Sequence, residues 1–365
     1  MKQLATGIVR KTGIDFLRML SMYMVVVLHV LGQGGVLSHT EWMSGQYITA
    51  WLLEVAAYCA VNCFGLISGY VGYESKYRWS KLIALWLQVM FFSLGITILF
   101  AVFMPGSASI TVWLKSILPV TAGEYWYITA YVGMFLFIPL MNIAIDKMRK
   151  EQVALFIVAF SVLYLVIPSV TMRDPYSLKG GYSVIWLCLL YLIGGWIKKY
   201  KIDQRFKRRY AFLVFVTSTL LVLLSKIVLE VMTFKIWGAA KYGTMFISYT
   251  SPFILLNGVV LLCVFARTDF KTNIGKNVVH WLSPAALGVY LIHVHPLIWK
   301  YVIKGVSDGF AEYMPICLAL SVLGLALAIY VVCSAFELLR LKLFALLKVQ
   351  NRLKVIDERL NGIGF

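Results

Sequence analysis

Charge is what this sequence has least of. Of its 365 residues only 14% are Asp, Glu, Lys or Arg, where a soluble chain carries roughly a quarter. Acid is scarcer than base, 16 residues against 34, which leaves a net charge of +18. The six cysteines (Cys59, Cys63, Cys188, Cys263, Cys317 and Cys333) show neither the paired spacing of a zinc site nor a disulfide framework. They read as small packing residues. A P-loop, a Rossmann glycine run and an HExxH pair are all missing, which argues against an ATP-driven pump and against a metalloprotease of that type. Repeats of 20–50 residues and low-complexity tracts are missing too.

In place of charge the chain has apolar surface. Hydrophobic residues make up 61% and the mean hydropathy is +0.82. That is more than a globular core of this size can hide. It excludes a soluble enzyme, a disordered chain and a protein whose basicity serves DNA. The apolar runs are about twenty residues long, not the alternating ten-residue segments of a barrel. The fold class expected is therefore all-α, a polytopic integral membrane protein with about ten transmembrane helices. The spans fall near 14–34, 47–72, 80–104, 125–145, 152–171, 181–199, 209–229, 243–265, 281–302 and 314–338.

The basic residues sort by side. Alternate connecting segments, including Lys2, Arg10 and Lys11 at the start and Lys198–Arg209 in the middle, hold 25 of them, and the opposite segments hold seven. The positive-inside rule then places both termini in the cytoplasm. The tail after about 338 is amphipathic and basic and is expected along the inner membrane surface. Residues 1–345 form one transmembrane domain, with 346–365 a basic cytoplasmic tail.

A charge at membrane depth costs at least about 2.5 kcal/mol, so each one needs a reason. The first span holds Asp15, Arg18 and His29. Eleven residues turn an α-helix through about 1,100°, within about 20° of a whole number of turns. Arg18 and His29 therefore share a face, about 16 Å apart along the axis, with Met22 and Val25 between them. Arg18 lies near the cytoplasm and His29 in the outer half. Either also has a plain reading, an interfacial arginine paired with Asp15 and a packing histidine. Glu54 in the second span and His293 and His295 in the ninth lie at the depth of His29. From depth alone, His29, Glu54 and His293 meet in one outer cavity. Arg78 and Lys81 begin the third span three residues apart and can clamp a phosphate, or serve as ordinary inner-side charge. Trp126 and Tyr127 read as interfacial anchors or as sugar-stacking rings. Gly65 and Gly69 form a small-xxx-small pair that lets helices approach.

These strings, in this order, resemble the membrane-bound acyltransferase-3 family. Gly13-Ile-Asp-Phe-Leu-Arg-Met-Leu-Ser with Val-Val-Val-Leu-His29 after it is similar to the family's first span, which is marked by an arginine and a histidine with ten residues between them. Asn62-Cys-Phe-Gly-Leu-Ile-Ser-Gly-Tyr70 resembles its second-span ending. Glu124-Tyr-Trp-Tyr-Ile-Thr-Ala-Tyr131 leading to Pro139-Leu-Met-Asn142, and Leu287-Gly-Val-Tyr-Leu-Ile-His293, resemble two later segments. One departure is Lys81, where the family often has a second arginine; lysine holds a phosphate as a point charge, without the planar fork.

The resemblance implies an O-acyltransferase of the plasma membrane that moves an acyl group, commonly acetyl, from cytoplasmic acyl-CoA to a hydroxyl of an exopolysaccharide, capsule or other envelope glycan. Acetyl-CoA is then the donor, a carbohydrate the acceptor, membrane lipid the surroundings and other glycan-assembly proteins the partners; no metal and no nucleic acid are expected. Arg18, Arg78 and Lys81 would bind the coenzyme A phosphates. His29 would be the general base or the site of transient acyl transfer, Glu54 would orient it, and His293 would assist the oxyanion or the acceptor. Two other classes stay open: a permease for a small polar solute, and a non-catalytic component of glycan assembly.

Overall fold

The structure, a computed structural model, describes residues 11–171 and 173–361. Lys2 and Arg10 of the amino-terminal basic segment and residues 362–365 of the tail lie outside the described residues. Among the described residues the regular structure is helical, with no strand.

The chain opens on α1 (Thr12–Leu31), a single turn α2 (Val36–His39), and the pair α3 (Gly45–Ala57) and α4 (Ala60–Gly72). Next come α5 (Trp79–Phe103), the short α6 (Ile110–Ile117) and α7 (Trp126–Lys147). α8 (Lys150–Ser161) passes through a π turn, Val162–Val166, into α9 (Ile167–Thr171). Then follow α10 (Val184–Lys199), α11 (Arg208–Trp237) and α12 (Pro252–Ala266). α13 (Asn273–Leu282) and α14 (Ala286–His293) lead to a break, after which come α15 (Pro296–Ile298) and a second π turn, Trp299–Ile303. The chain closes on α16 (Pro315–Leu346) and α17 (Val349–Asn361). Side-chain caps start several of these helices. Ser44, Ser109, Ser183 and Thr272 accept the backbone N–H three residues on, and Pro252 and Pro315 sit in the first turn, where no N–H is needed.

Among the described residues seven helical stretches are long and apolar enough to cross a membrane, or eight if the bent pair Asn273–His293 and Pro296–Ile303 forms one span. The difference from ten lies in two places. Where hydropathy marks 181–199 and 243–265, the helices are α10 and α12, of 16 and 15 residues. They reach only about 24 and 22 Å, short of a hydrocarbon core of about 30 Å.

α1 stands at the centre, packed against α3, α4, α12, α14 and α16, with Leu17, Val26, Val30 and Leu31 fully buried. The periphery is different. Leu155, Phe156 and Val158 on α8, Phe212 and Leu213 on α11, and Ile316, Leu320 and Val331 on α16 are large apolar side chains left exposed. Such a surface is costly in water and at home in lipid.

The glycine pair does what its spacing predicts. A Cβ on Gly69 would stand 1.9 Å from the carbonyl oxygen of Tyr191, and one on Gly65 2.6 Å from Leu190. Gly194 returns the contact, its Cβ position lying 2.1 Å from the Leu66 oxygen. α4 and α10 therefore meet backbone to backbone. Asn62 locks the same joint. Its Nδ2 donates to the Tyr249 carbonyl (2.9 Å) and its Oδ1 accepts from Trp186 Nε1 (3.0 Å). The cysteines are all free; Cys59, Cys63, Cys263 and Cys333 are buried, Cys188 is partly buried and Cys317 is exposed.

The tail expected along the membrane surface is anchored on the protein itself. α16 continues to Leu346, and α17 turns back onto α5 with Leu353 buried and Asp357 bonded to Ser80. Its apolar face finds a protein groove.

Candidate functional site

The helix face read from the first span is the wall of a cavity. Arg18, Met22, Val25 and His29 all line one space of about 670 Å³. α4 contributes Val61, Phe64 and Ser68 to it, α5 contributes Lys81 and Gln88, and α7 contributes Trp126, Tyr127 and Tyr131. Tyr290 of α14 and Arg340 of α16 add to the polar lining.

At one end stands a pair of histidines. His29 Nδ1 is 2.8 Å from His293 Nε2. The protons follow from the neighbours. His293 Nδ1 lies 2.6 Å from the carbonyl oxygen of Val289, which can only accept. With both imidazoles neutral, His293 therefore carries its proton on Nδ1 and offers the Nε2 lone pair. His29 must then donate from Nδ1, and its own Nε2 is left as a free base. His293 is 1% exposed, while His29 is partly exposed and faces the cavity. Trp299 packs on the His29 ring in a T-shaped pair, centroids 4.7 Å apart at 87°.

The break after α14 makes this arrangement. His293 is the last residue of α14, and the second helix of the pair departs at 62°. One side of the break aims His293 at His29, and the other brings Trp299 against it. The histidine two residues on is used differently. His295 donates from Nε2 to the Ser93 carbonyl (3.1 Å) and accepts the Leu297 N–H on Nδ1 (3.3 Å). Both its nitrogens are spent holding the break to α5.

Glu54 stands apart from the pair. The Nδ1 of His29 is taken by His293, and Glu54 is absent from the cavity wall. Its side chain is buried, with Oε2 unpaired. Depth alone had grouped the three residues; helix rotation, which sequence does not show, separates Glu54 from the two histidines.

The other end of the cavity is basic. Arg18 lines it with its Nη1 bonded to Asp15 Oδ1 at 2.8 Å, and its side chain remains 32% exposed. Lys81 stands exposed at the mouth. Arg78 precedes α5 as its N-cap and does not reach the cavity wall. Arg340 does, and sequence reading missed it by counting it with the tail. Its guanidinium donates from Nε to Glu337 Oε2 (2.8 Å) and from Nη2 to Oε1, and Gln88 donates to the same carboxylate (3.1 Å). The i,i+3 pairing of an acid and a base inside an apolar run was the available signal.

Aromatic rings gather around Trp126. Tyr182 lies 4.3 Å from it and Tyr249 6.0 Å, ring centroid to centroid, and Tyr249 stacks against it at 21°. Trp126 and Tyr249 line the cavity, and Tyr182 is exposed. Glu124, just before, pairs with Lys115 of α6 at 2.8 Å, and that bond holds the Lys115 ammonium above its ordinary pKa.

Among the described residues no three His, Cys, Asp or Glu side chains gather as metal donors. The site is thus one space with a free imidazole nitrogen at one end and cations at the other. That arrangement suits transfer of a group from an anionic carrier to a proton-bearing acceptor. No curated protein and no solved structure matches the chain. The profile of the acyltransferase-3 family, described as an acyltransferase domain, matches residues 11–335, and the chain belongs to that family of membrane acyltransferases.

Proposed function

We propose that the protein is an O-acyltransferase of the plasma membrane that takes an acyl group, acetyl by preference, from cytoplasmic acyl-CoA and places it on a hydroxyl of a cell-envelope glycan. The observation that carries this is the lone pair on His29 Nε2, set by the His293 bond and open to a cavity whose far end holds Arg18 and Lys81. Residues 1–345 act as one transmembrane unit, and both termini lie in the cytoplasm.

In this reading the phosphates of the donor sit at the basic end, held by Arg18 and Lys81, with Arg78 adding charge from outside the wall. The thioester lies beside His29. An acceptor hydroxyl enters past Trp126, Tyr182 and Tyr249, rings that suit the apolar face of a sugar. His29 Nε2 takes the hydroxyl proton as that oxygen bonds to the acyl carbon. The carbon–sulfur bond breaks, and the proton passes on to the departing thiolate. His293 holds the imidazole and stabilises its charged form by accepting from Nδ1–H, the part a carboxylate plays in a serine hydrolase. Glu54 has no step in this scheme.

The test is transfer of label from acetyl-CoA into host glycan by isolated membranes, with wild type and His29→Ala at equal protein level. Label that disappears in the variant supports the scheme. Label retained there removes His29 from the chemistry. A second reading, a solute permease, draws on the broken helix pair, a device that transporters use at their binding sites. Solute uptake that is indifferent to acyl-CoA, together with no labelling in either membrane, would favour it.

A further inference from the structure

The basic end of the cavity is covered by a part of the chain beyond the residues that the family profile matches. That profile ends at residue 335, and α17 starts at Val349. Val349, Gln350 and Leu353 of α17 line the same cavity as Arg18, Lys81 and Arg340. Val349, Leu353 and Asp357 recur every fourth residue, so one face of the helix carries the whole contact. Arg352, Lys354 and Arg359 stay exposed on the outside.

Asp357 fastens this face. Its Oδ1 accepts the backbone N–H of Ser80 at 2.9 Å, and its Oδ2 accepts the Ser80 hydroxyl. Ser80 is the second residue of α5, a helix whose own N-cap, Arg78, supplies no side-chain cap. The carboxylate thus completes the helix start and meets its positive dipole end. The joint to α16 is short, residues 347 and 348, and Lys348 adopts a left-handed φ of 53°. An L-residue holds that conformation at a cost, so the junction gives up little when it opens.

We infer that α17 is a lid over the basic mouth of the cavity, latched by Asp357 on Ser80, and that an anionic donor enters by displacing that carboxylate. A phosphate brings to Ser80 and Lys81 the same chemistry, with more charge. The lid's direction of action rests on the donor reading above; the latch itself does not.

The experiment is hydrogen exchange on the full-length protein in nanodiscs, reading the amides of 349–361 against those of α16. Asp357→Asn and Ser80→Ala should each speed exchange in α17 about tenfold, the effect of losing a charge-assisted hydrogen bond, with α16 unchanged. Coenzyme A, added to the wild type where calorimetry shows it bound, should speed α17 exchange as the variants do. Unchanged exchange in both variants overturns the latch. Slower exchange with bound coenzyme A overturns displacement and makes α17 a fixed wall of the site. If coenzyme A binds neither the wild type nor Asp357→Asn, the donor reading fails and the lid loses its purpose, while the variant arm still decides the latch.

Discussion

Two ionisable pairs in the helical interior are used in opposite ways. His29 and His293 bridge α1 and α14 and leave one nitrogen unspent, facing a cavity. Lys226 and Glu230 lie one turn apart on α11, and both are closed in by protein, away from the cavity. Lys226 bonds Glu230 and rests on Trp51, 3.6 Å from the ring centroid; Tyr47 donates to the other carboxylate oxygen at 2.6 Å. Neither residue lines the cavity. Gly243 closes over Glu230 so tightly that a Cβ there would stand 2.1 Å from its oxygen. Both sites are expensive at membrane depth. What separates a working group from a structural one is therefore the valence left over and the space in front of it, not the cost of burial.

The largest effect expected is at His29. His29→Ala should cut transfer about 10²- to 10⁴-fold, the range of a lost general base, while thermal melting stays near that of the wild type. A variant as active as the parent would erase the contrast at its working end. At the other end, Glu230→Ala strands a buried ammonium and should cost about 3–5 kcal/mol of stability. Lys226→Met with Glu230→Leu should recover most of that, since both charges leave together. Folded protein from either should keep its turnover number. Should Glu230→Ala fold normally and lose transfer instead, the second pair would be a working one and the contrast would be wrong.

A finer test asks what His293 contributes. His293→Ala should lower kcat about 10- to 100-fold, the kinetic worth of one charge-assisted hydrogen bond, with KM for the donor unchanged. His293→Gln can offer an amide oxygen to His29 Nδ1–H and should recover part of the loss. Equal loss in both variants, with KM raised, would point to a hole in the cavity wall and not to a lost partner.

How far the sequence led depends on what each feature requires. The face holding Arg18, Met22, Val25 and His29 was legible because helical geometry alone fixes it, and all four line the cavity. The Gly65–Gly69 approach was legible for the same reason. The partner of His29 needed more. Depth put Glu54 and His293 on equal terms, and only the rotation of α3 and the break after α14 choose between them. Arg340 and Leu353 were hidden by the end of the last apolar run. Hydropathy stops near 338, but α16 continues to Leu346 and α17 folds back. The shortness of α10 and α12 was invisible too, since the apolar runs at 181–199 and 243–265 include non-helical chain.

A third buried pair falls between the first two and gives the smallest effect. Glu337 and Arg340 are bonded through two guanidinium nitrogens, as closed as Lys226 and Glu230, yet Arg340 also lines the cavity. A guanidinium has five N–H groups, so Arg340 keeps donors for a ligand after Glu337 is served. Arg340→Lys keeps the charge and removes the fork. If leftover valence is what matters, that variant should raise KM for the acyl donor about threefold, a modest loss of bidentate contact, and leave kcat alone. Its melting temperature should fall by only a few degrees, the equivalent of about 1 kcal/mol. Kinetics on purified protein with acetyl-CoA as the varied substrate decide it. An unchanged KM would place Arg340 with Lys226, as a cation whose bonds all serve the fold, and would move the donor's grip onto Arg18 and Lys81 alone.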